Sequence, residues 1–188
     1  MHKIQRQLHK DHFHLQRLLH CLSHEIDCYS FDSKRAPDLD VILSALDYVR
    51  IYPDKWHHPA EDVIFEKLIQ KKVKESELIK ELQNEHQQII QETNRVLELF
   101  NNVAEDCIVT ADELLTAARH FITLQIQHLE KENEHVYPLM GSSFSEKDWR
   151  EIEKEVILQS DPLFGSTSKK EYDHLYRYII TLEKSKEN

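Results

Sequence analysis

The chain has 188 residues, with 24 Lys and Arg against 34 Asp and Glu, a formal charge of −10; it is long enough to bury a core in one compact fold without disulfides. That acidity argues against nucleic acid and against an anionic membrane face as partners. Two glycines and five prolines among 31% charged residues argue against an all-β fold and for helices.

From Ile4 the apolar positions Ile4, Leu8, Leu15, Leu19, Leu22 and Ile26 hold one face of a helix, with His12 interrupting the stripe. Ser30-Phe31-Asp32-Ser33 reads as a loop before a second helix near Asp38. That helix carries Ile42, Leu46, Val49, Pro53, His57, Glu61, Phe65 or Ile64, and Leu68 on one face, and Pro53 and Pro59 predict a kink beside His57. A third helix, from about Lys74 to Phe100, reads Ile79, Leu82, His86, Ile89, Thr93, Val96, Phe100. The fourth, after the cap-like Thr110, reads Leu114, Ala118, Phe121, Gln125, His128, Glu132, His135, Leu139 and is expected to close at Tyr137-Pro138 and Gly141. A short helix from about Ser145 to Leu158, an Asp161-Pro162-Leu163-Phe164-Gly165 loop and a helix through Tyr172, Leu175, Tyr176, Ile179 and Ile180 follow. The economical architecture is all-α: an antiparallel up-and-down four-helix bundle over residues 1–140, with residues 141–188 as a helical appendage packed on it.

Cys21, Cys28 and Cys107 are odd in number and form no Cys-x-x-Cys, so a disulfide framework or thiolate zinc site is not expected. With a polar N-terminus and no 18-residue apolar run, the expected location is cytoplasmic, away from any membrane.

Thirteen histidines stand out. Each of the four main helices places one in its apolar stripe: His12, His57, His86 and His128. His57 and His128 are each followed four residues later by a glutamate, Glu61 and Glu132, on the same helical face. The halves repeat, acid-His then His-x-x-x-Glu, which predicts a pseudo-twofold bundle with six convergent polar groups. Burying such groups unpaired costs several kcal/mol, and metal ions supply the missing partner; nitrogen and oxygen donors in a two-sided set suit two iron or manganese ions, and copper or thiolate zinc fits less well. Glu85 and Asp11, which precede His86 and His12, are candidates for outer partners of the ligands or for proton relays. His58, one residue or about 100° from His57, is expected to face outward or sideways. His135, seven residues after His128, lies on the same face in a regular helix, either near the ligands or near the bundle end. The other histidines, among them His2, His9, His14, His20, His24 and His174, read as solvated, and Tyr52, Trp56 and Tyr137 as packing.

The motifs Asp11-His12-x-x-Leu15, His57-His58-Pro59-Ala60-Glu61-Asp62, Glu85-His86-x-x-Ile89 and His128-x-x-x-Glu132, with Tyr137-Pro138 after the last, resemble those of the hemerythrin-like HHE cation-binding proteins of bacteria. The resemblance implies a non-haem di-iron centre bridged by Glu61, Glu132 and an oxo or hydroxo group, with manganese or zinc as alternatives. Two departures matter. Oxygen carriers of this kind have His-x-x-x-His on the third helix, where Ile90 stands here, and His-x-x-x-x-Asp on the fourth, where Asn133 stands. Fewer histidines leave open positions, which favours reaction with small oxidants (peroxide, nitric oxide or dioxygen) over reversible oxygen carriage. The ligand set is similar to that of relatives that repair iron–sulfur clusters, but His12 comes too early for the cysteine-paired domain those carry, so repair is not expected. The expectation is a stress-response protein or possible oxidoreductase, with a non-catalytic oxygen or iron sensor or storage module, signalling through the tail, as the alternative.

Overall fold

A computed structural model describes residues 1–29, 33, 35–165 and 170–185. Four rods pack side by side: α1 (Lys3–Asp27), α2 (Leu39–Ile51) continued by α3 (His58–Gln70), α4 (Ser76–Ala104), and α5 (Ala111–Lys131) continued by α6 (Tyr137–Ser143). In cross-section they form a closed ring, α1 against α2 and α5, and α4 against α2 and α5. The expected caps are present, with the Asp38 and Thr110 side chains accepting from the Val41 and Glu113 amides. The Ser30-Phe31-Asp32 part of the expected loop lies outside the described residues. α3 and α4 end with Lys72 and Asp106 in the left-handed region, at φ 55° and 57°. There the Lys72 and Val73 amides bond back to the Ile69 and Leu68 carbonyls, and those of Asp106 and Cys107 to Val103 and Asn102.

Rods two and four are each interrupted by one wide π-helical turn, Pro53–His57 and Glu132–Val136. Each precedes a proline at the second position of the next helix, Pro59 and Pro138, and the residue before that proline reaches back five positions: His58 N–H to the Pro53 carbonyl, Tyr137 N–H to the Glu132 carbonyl. A proline ring collides with the carbonyl four residues back, and the wider turn relieves this without ending the rod. The kink expected beside His57 is therefore a π turn. Of the expected closure at Tyr137-Pro138 and Gly141, the proline does not end rod four, which runs on to Ser143, two residues past Gly141. Its extra residue moves the inward face from His135 and Leu139 to Val136 and Met140, and His135 is exposed.

The apolar core is split in two. One cluster holds Leu15 to Ile26, Val41 to Tyr52, Val96, Phe100 and Leu114 to Leu129; the other holds Ile4, Leu8, Ala60 to Leu68, Ile79, Leu82 and Val136 to Met140. The buried His12, His57, His58, His86, His128, Glu61 and Glu132 form the layer between them.

Beyond the bundle, α7 (Glu146–Glu155) packs on α3, and α8 (Asp173–Lys184) on α1 and α2. Asp161 fixes the loop between them: its Oδ1 accepts from the Leu163 and Phe164 amides at 2.8 Å, and its Oδ2 meets His14 Nδ1 at 2.6 Å. His14 is thus buried beneath the tail, contrary to the expectation of a solvated position. At Gly165 a Cβ would stand 2.2 Å from the Asp161 carbonyl oxygen, so this turn needs glycine.

Candidate metal centre

The six residues of the sequence pattern converge. Glu61 and Glu132, both fully buried, occupy the middle. His12 Nε2 lies 3.3 Å from Glu61 Oε1 and 3.3 Å from Glu132 Oε2. His57 Nε2 is 3.3 Å from Glu61 Oε2, and His128 Nε2 is 3.1 Å from Glu132 Oε1. His86 Nε2 is 3.3 Å from Glu132 Oε1 and 3.5 Å from Glu61 Oε2. Each glutamate therefore meets imidazoles from opposite sides of the bundle, the disposition a bridging carboxylate needs.

A second ring of side chains orients the first. His57 Nδ1 faces Asp11 Oδ2 at 3.3 Å, His86 Nδ1 faces Asp62 Oδ1 at 2.8 Å, His128 Nδ1 faces Glu85 Oε2 at 3.1 Å, and His12 Nδ1 faces Asn133 Oδ1 at 3.0 Å. Each of these partners is the chain neighbour of a central residue on one rod and holds the histidine of the next. In the neutral imidazole, an Nδ1–H donated outward leaves the Nε2 lone pair for the centre, which a cation displacing the ring's second proton would use. Asp11 and Glu85 thus take the outer positions that the sequence suggested, though each serves the histidine of another rod and not its own neighbour. Asp62 and Asn133 were missed; their signal was adjacency to Glu61 and Glu132.

Three further groups belong to this layer. His58 is buried, its ring stacked on His86 with centroids 4.5 Å apart, which corrects the expectation that it faces outward. Tyr137 is more than packing: its hydroxyl donates to Glu61 Oε1 at 2.6 Å and stands 2.8 Å from His12 Nε2. The Tyr52 hydroxyl donates to Asp11 Oδ1 at 3.1 Å, while Trp56 packs on the apolar core.

Charge balance follows from the packing. Burial disfavours the charged form of His12, yet Glu132 and Glu61 outweigh it and raise its pKa to about 10. His86 and His128 are raised against the same burial, His86 by Asp62, Glu132 and Glu61, and His128 by Glu132 and Glu85. Burial pushes both glutamates up, and Glu132 adds to this for Glu61, but the imidazoles hold both well below the usual carboxylate range. Burial raises Tyr137 well above the usual phenol value, so its proton stays.

A cation fits this balance. Among the described residues, His57 Nε2, His128 Nε2, Glu61 Oε2, Glu132 Oε2 and both nitrogens of His58 are buried without a hydrogen-bond partner, a condition costing about 1–3 kcal/mol per group unless something satisfies it. Donor atoms of His12, His57 and Glu61 lie within 4.8 Å of one another, as do those of His58, Glu61, His86 and His128. Nitrogen and oxygen donors in this mixture suit iron, manganese or zinc.

The family model described as "Hemerythrin HHE cation binding domain" matches residues 2–140. The chain belongs to the hemerythrin HHE cation-binding family. No curated protein and no solved structure matches it. The family match ends within α6, so it covers the four rods and the central layer, and the resemblance drawn from the motifs holds. No helix among the described residues is long and apolar enough to cross a membrane.

Proposed function

We propose that this hemerythrin-family chain holds two iron ions between its four rods and reacts there with a small oxidant, peroxide, nitric oxide or dioxygen, in a stress-response role. The observation that supports this most directly is the pair of donor groups flanking Glu61, each with buried atoms that lack partners. His12, His57, His86 and His128 would be terminal ligands, with Glu61 and Glu132 shared between the ions. Bound iron would supply a one-electron redox couple and a Lewis acid.

The chain's own residues supply the protons and the dry surroundings. Tyr137 keeps a proton on its hydroxyl at Glu61 Oε1, beside His12. Asp11 connects His57 Nδ1 to the Tyr52 hydroxyl, which lies beneath the tail near Gln159. Glu85 connects His128 Nδ1 to the half-exposed Lys131 ammonium. These two chains of hydrogen bonds are the relays by which Asp11 and Glu85 would pass protons between the centre and solvent. The apolar clusters above and below exclude water from the layer.

Anaerobic titration of the metal-stripped protein with ferrous iron tests the reading. Two irons per chain, with visible bands that form and decay on adding oxidant, are expected, and His86→Ala should lose iron and reactivity together. A stable, reversible dioxygen band would point to carriage or sensing, and absence of stoichiometric iron would refute a di-iron centre.

A second reading, a sensor or storage module, has its own support. The tail reaches toward the centre's outer ring through Gln159, whose carbonyl meets the Tyr52 hydroxyl that contacts Asp11, and Asp161 ties it to α1 at His14. Amide hydrogen exchange over residues 156–165 should then differ between iron-loaded protein before and after exposure to oxidant; identical protection would exclude signalling through this segment.

A further inference from the structure

The two donor groups that flank Glu61 are unequal, and the difference is His58. In a regular helix the neighbours of Glu61 at i−3 and i−4 lie about 60° to one side of it and about 40° to the other. His58 and His57 therefore straddle the glutamate; they do not compete for one direction. The expectation that His58 turns away measured its angle from His57, when the layer is centred on Glu61. The observed grouping follows this geometry: His57 joins His12 on one side of Glu61, and His58 joins His86 and His128 on the other.

Several observations indicate that His58 is built as a ligand. It is 2% exposed, on the inward face of its rod. Neither ring nitrogen has a hydrogen-bond partner among the described residues. Its ring lies against both histidines of its group, centroids 4.5 Å from His86 and 5.8 Å from His128. Asp54 Oδ1 stands 3.6 Å from His58 Nδ1, the place that a carboxylate or amide oxygen occupies behind each of the other four histidines, and Asp54 too is buried without a partner.

We propose that His58 is the third histidine of the ion held by His86 and His128, supplied from α3 in place of the histidine missing at Ile90 on α4. The two ions are then unequal. One has three imidazoles and two shared carboxylates; the other has His12, His57 and the shared carboxylates, and its remaining space faces the Tyr137 hydroxyl. A small oxidant meets the His12 ion, and the His58 ion is the tighter and more closed of the two.

The inference rests on the two-metal reading above, and the test separates them. Full-length, metal-free protein is titrated with cobalt(II), whose visible bands report coordination number, and the affinities are measured by chelator competition. Wild type should bind two ions in two resolved steps. His58→Ala should weaken the tighter step by at least the 10–100-fold typical of lost supporting groups and change its band, leaving the other step in place. Added imidazole should restore the band, which a merely structural side chain would not allow. If His58→Ala does not fold by circular dichroism, His58→Gln and Asp54→Asn replace it, each expected to weaken the same step. Two ions bound with unchanged affinity and bands in these variants would overturn the assignment of His58 while leaving the metal centre intact. Failure of the wild type to bind cobalt would overturn the two-metal reading itself, and this inference with it.

Discussion

Removing the His86 imidazole from the metal-free protein probes how the central layer is balanced. His86 is 1% exposed, with Nε2 3.3 Å from Glu132 and 3.5 Å from Glu61, and Nδ1 2.8 Å from Asp62. Burial and Glu132 both push the Glu61 carboxyl toward protonation, and His57, His12 and His86 hold it ionised. His86→Ala removes one compensating charge and leaves the glutamate pair. Breaking a buried pair in this way costs about 3–5 kcal/mol. In a chain of this size each kcal/mol moves Tm by about 2–4 °C, so the metal-free variant should melt about 6–20 °C lower. Adding Glu132→Gln removes much of the charge that His86 balanced, so the double variant should be more stable than the sum of the single effects by about 0.5–3 kcal/mol. Urea unfolding of the four chelated proteins at neutral pH, followed by circular dichroism, measures the cycle. A loss below about 1 kcal/mol for His86→Ala, or strict additivity with Glu132→Gln, would refute the claim that imidazole–carboxylate pairing holds the layer together.

Other perturbations test the surroundings. Asp62→Asn and Glu85→Gln each remove the charge behind one histidine and should weaken metal binding about 10–100-fold by chelator competition; unchanged affinity would show that these carboxylates do not tune the ligands. Asn133 is the uncharged member of that outer ring, so Asn133→Asp should make His12 a stronger donor and tighten binding, and weaker binding would contradict the orienting role. Burial raises Glu25, but the Asp38 amide, the Tyr178 hydroxyl and Arg35 bring it below its ordinary value. Its contribution to stability is therefore complete above about pH 4.5 and is lost as pH falls through the lower folded value; Glu25→Gln should flatten the stability-versus-pH curve there, and an unchanged slope would reject this. Lys72→Gly, relieving a left-handed lysine, should raise the unfolding free energy by about 1 kcal/mol; a loss would mean that its side chain contributes more than its backbone costs.

Most of the bundle was legible because each rod keeps a 3.6-residue apolar period, and most of the six central residues because each interrupts such a stripe at matching depth. What escaped has a common cause. A π turn adds one residue to a helix, and no feature of the apolar pattern announces it. Reading rod four as regular placed His135 and Leu139 inside, where Val136 and Met140 are, and treated Pro138 as a terminator when the wide turn lets the rod pass it. His58 was misjudged by taking a single direction as the target; two positions flank Glu61, so two adjacent residues can both face inward. His14 escaped because its partner, Asp161, is 147 residues away and local periodicity cannot report it.

The outer ring also explains why site and fold are hard to separate in this chain. Asp11 holds His57, Asp62 holds His86, Glu85 holds His128 and Asn133 holds His12, so every rod orients a histidine on the next one and has its own oriented by the one before. A shift of one rod along its axis breaks two of these contacts and carries a central residue out of the layer. The apolar clusters on either side enforce the same register, since a slide of one turn would drive Leu8 or Leu15 into the plane of the glutamates. An ion present at a hundred times its dissociation constant adds about 2.7 kcal/mol, comparable with the cost of one or two buried unpaired polar groups. Metal held as proposed would therefore offset much of what the unpaired polar groups of the central layer cost. The rigidity of the bundle at its middle should accordingly depend on metal supply, while its two apolar ends should not.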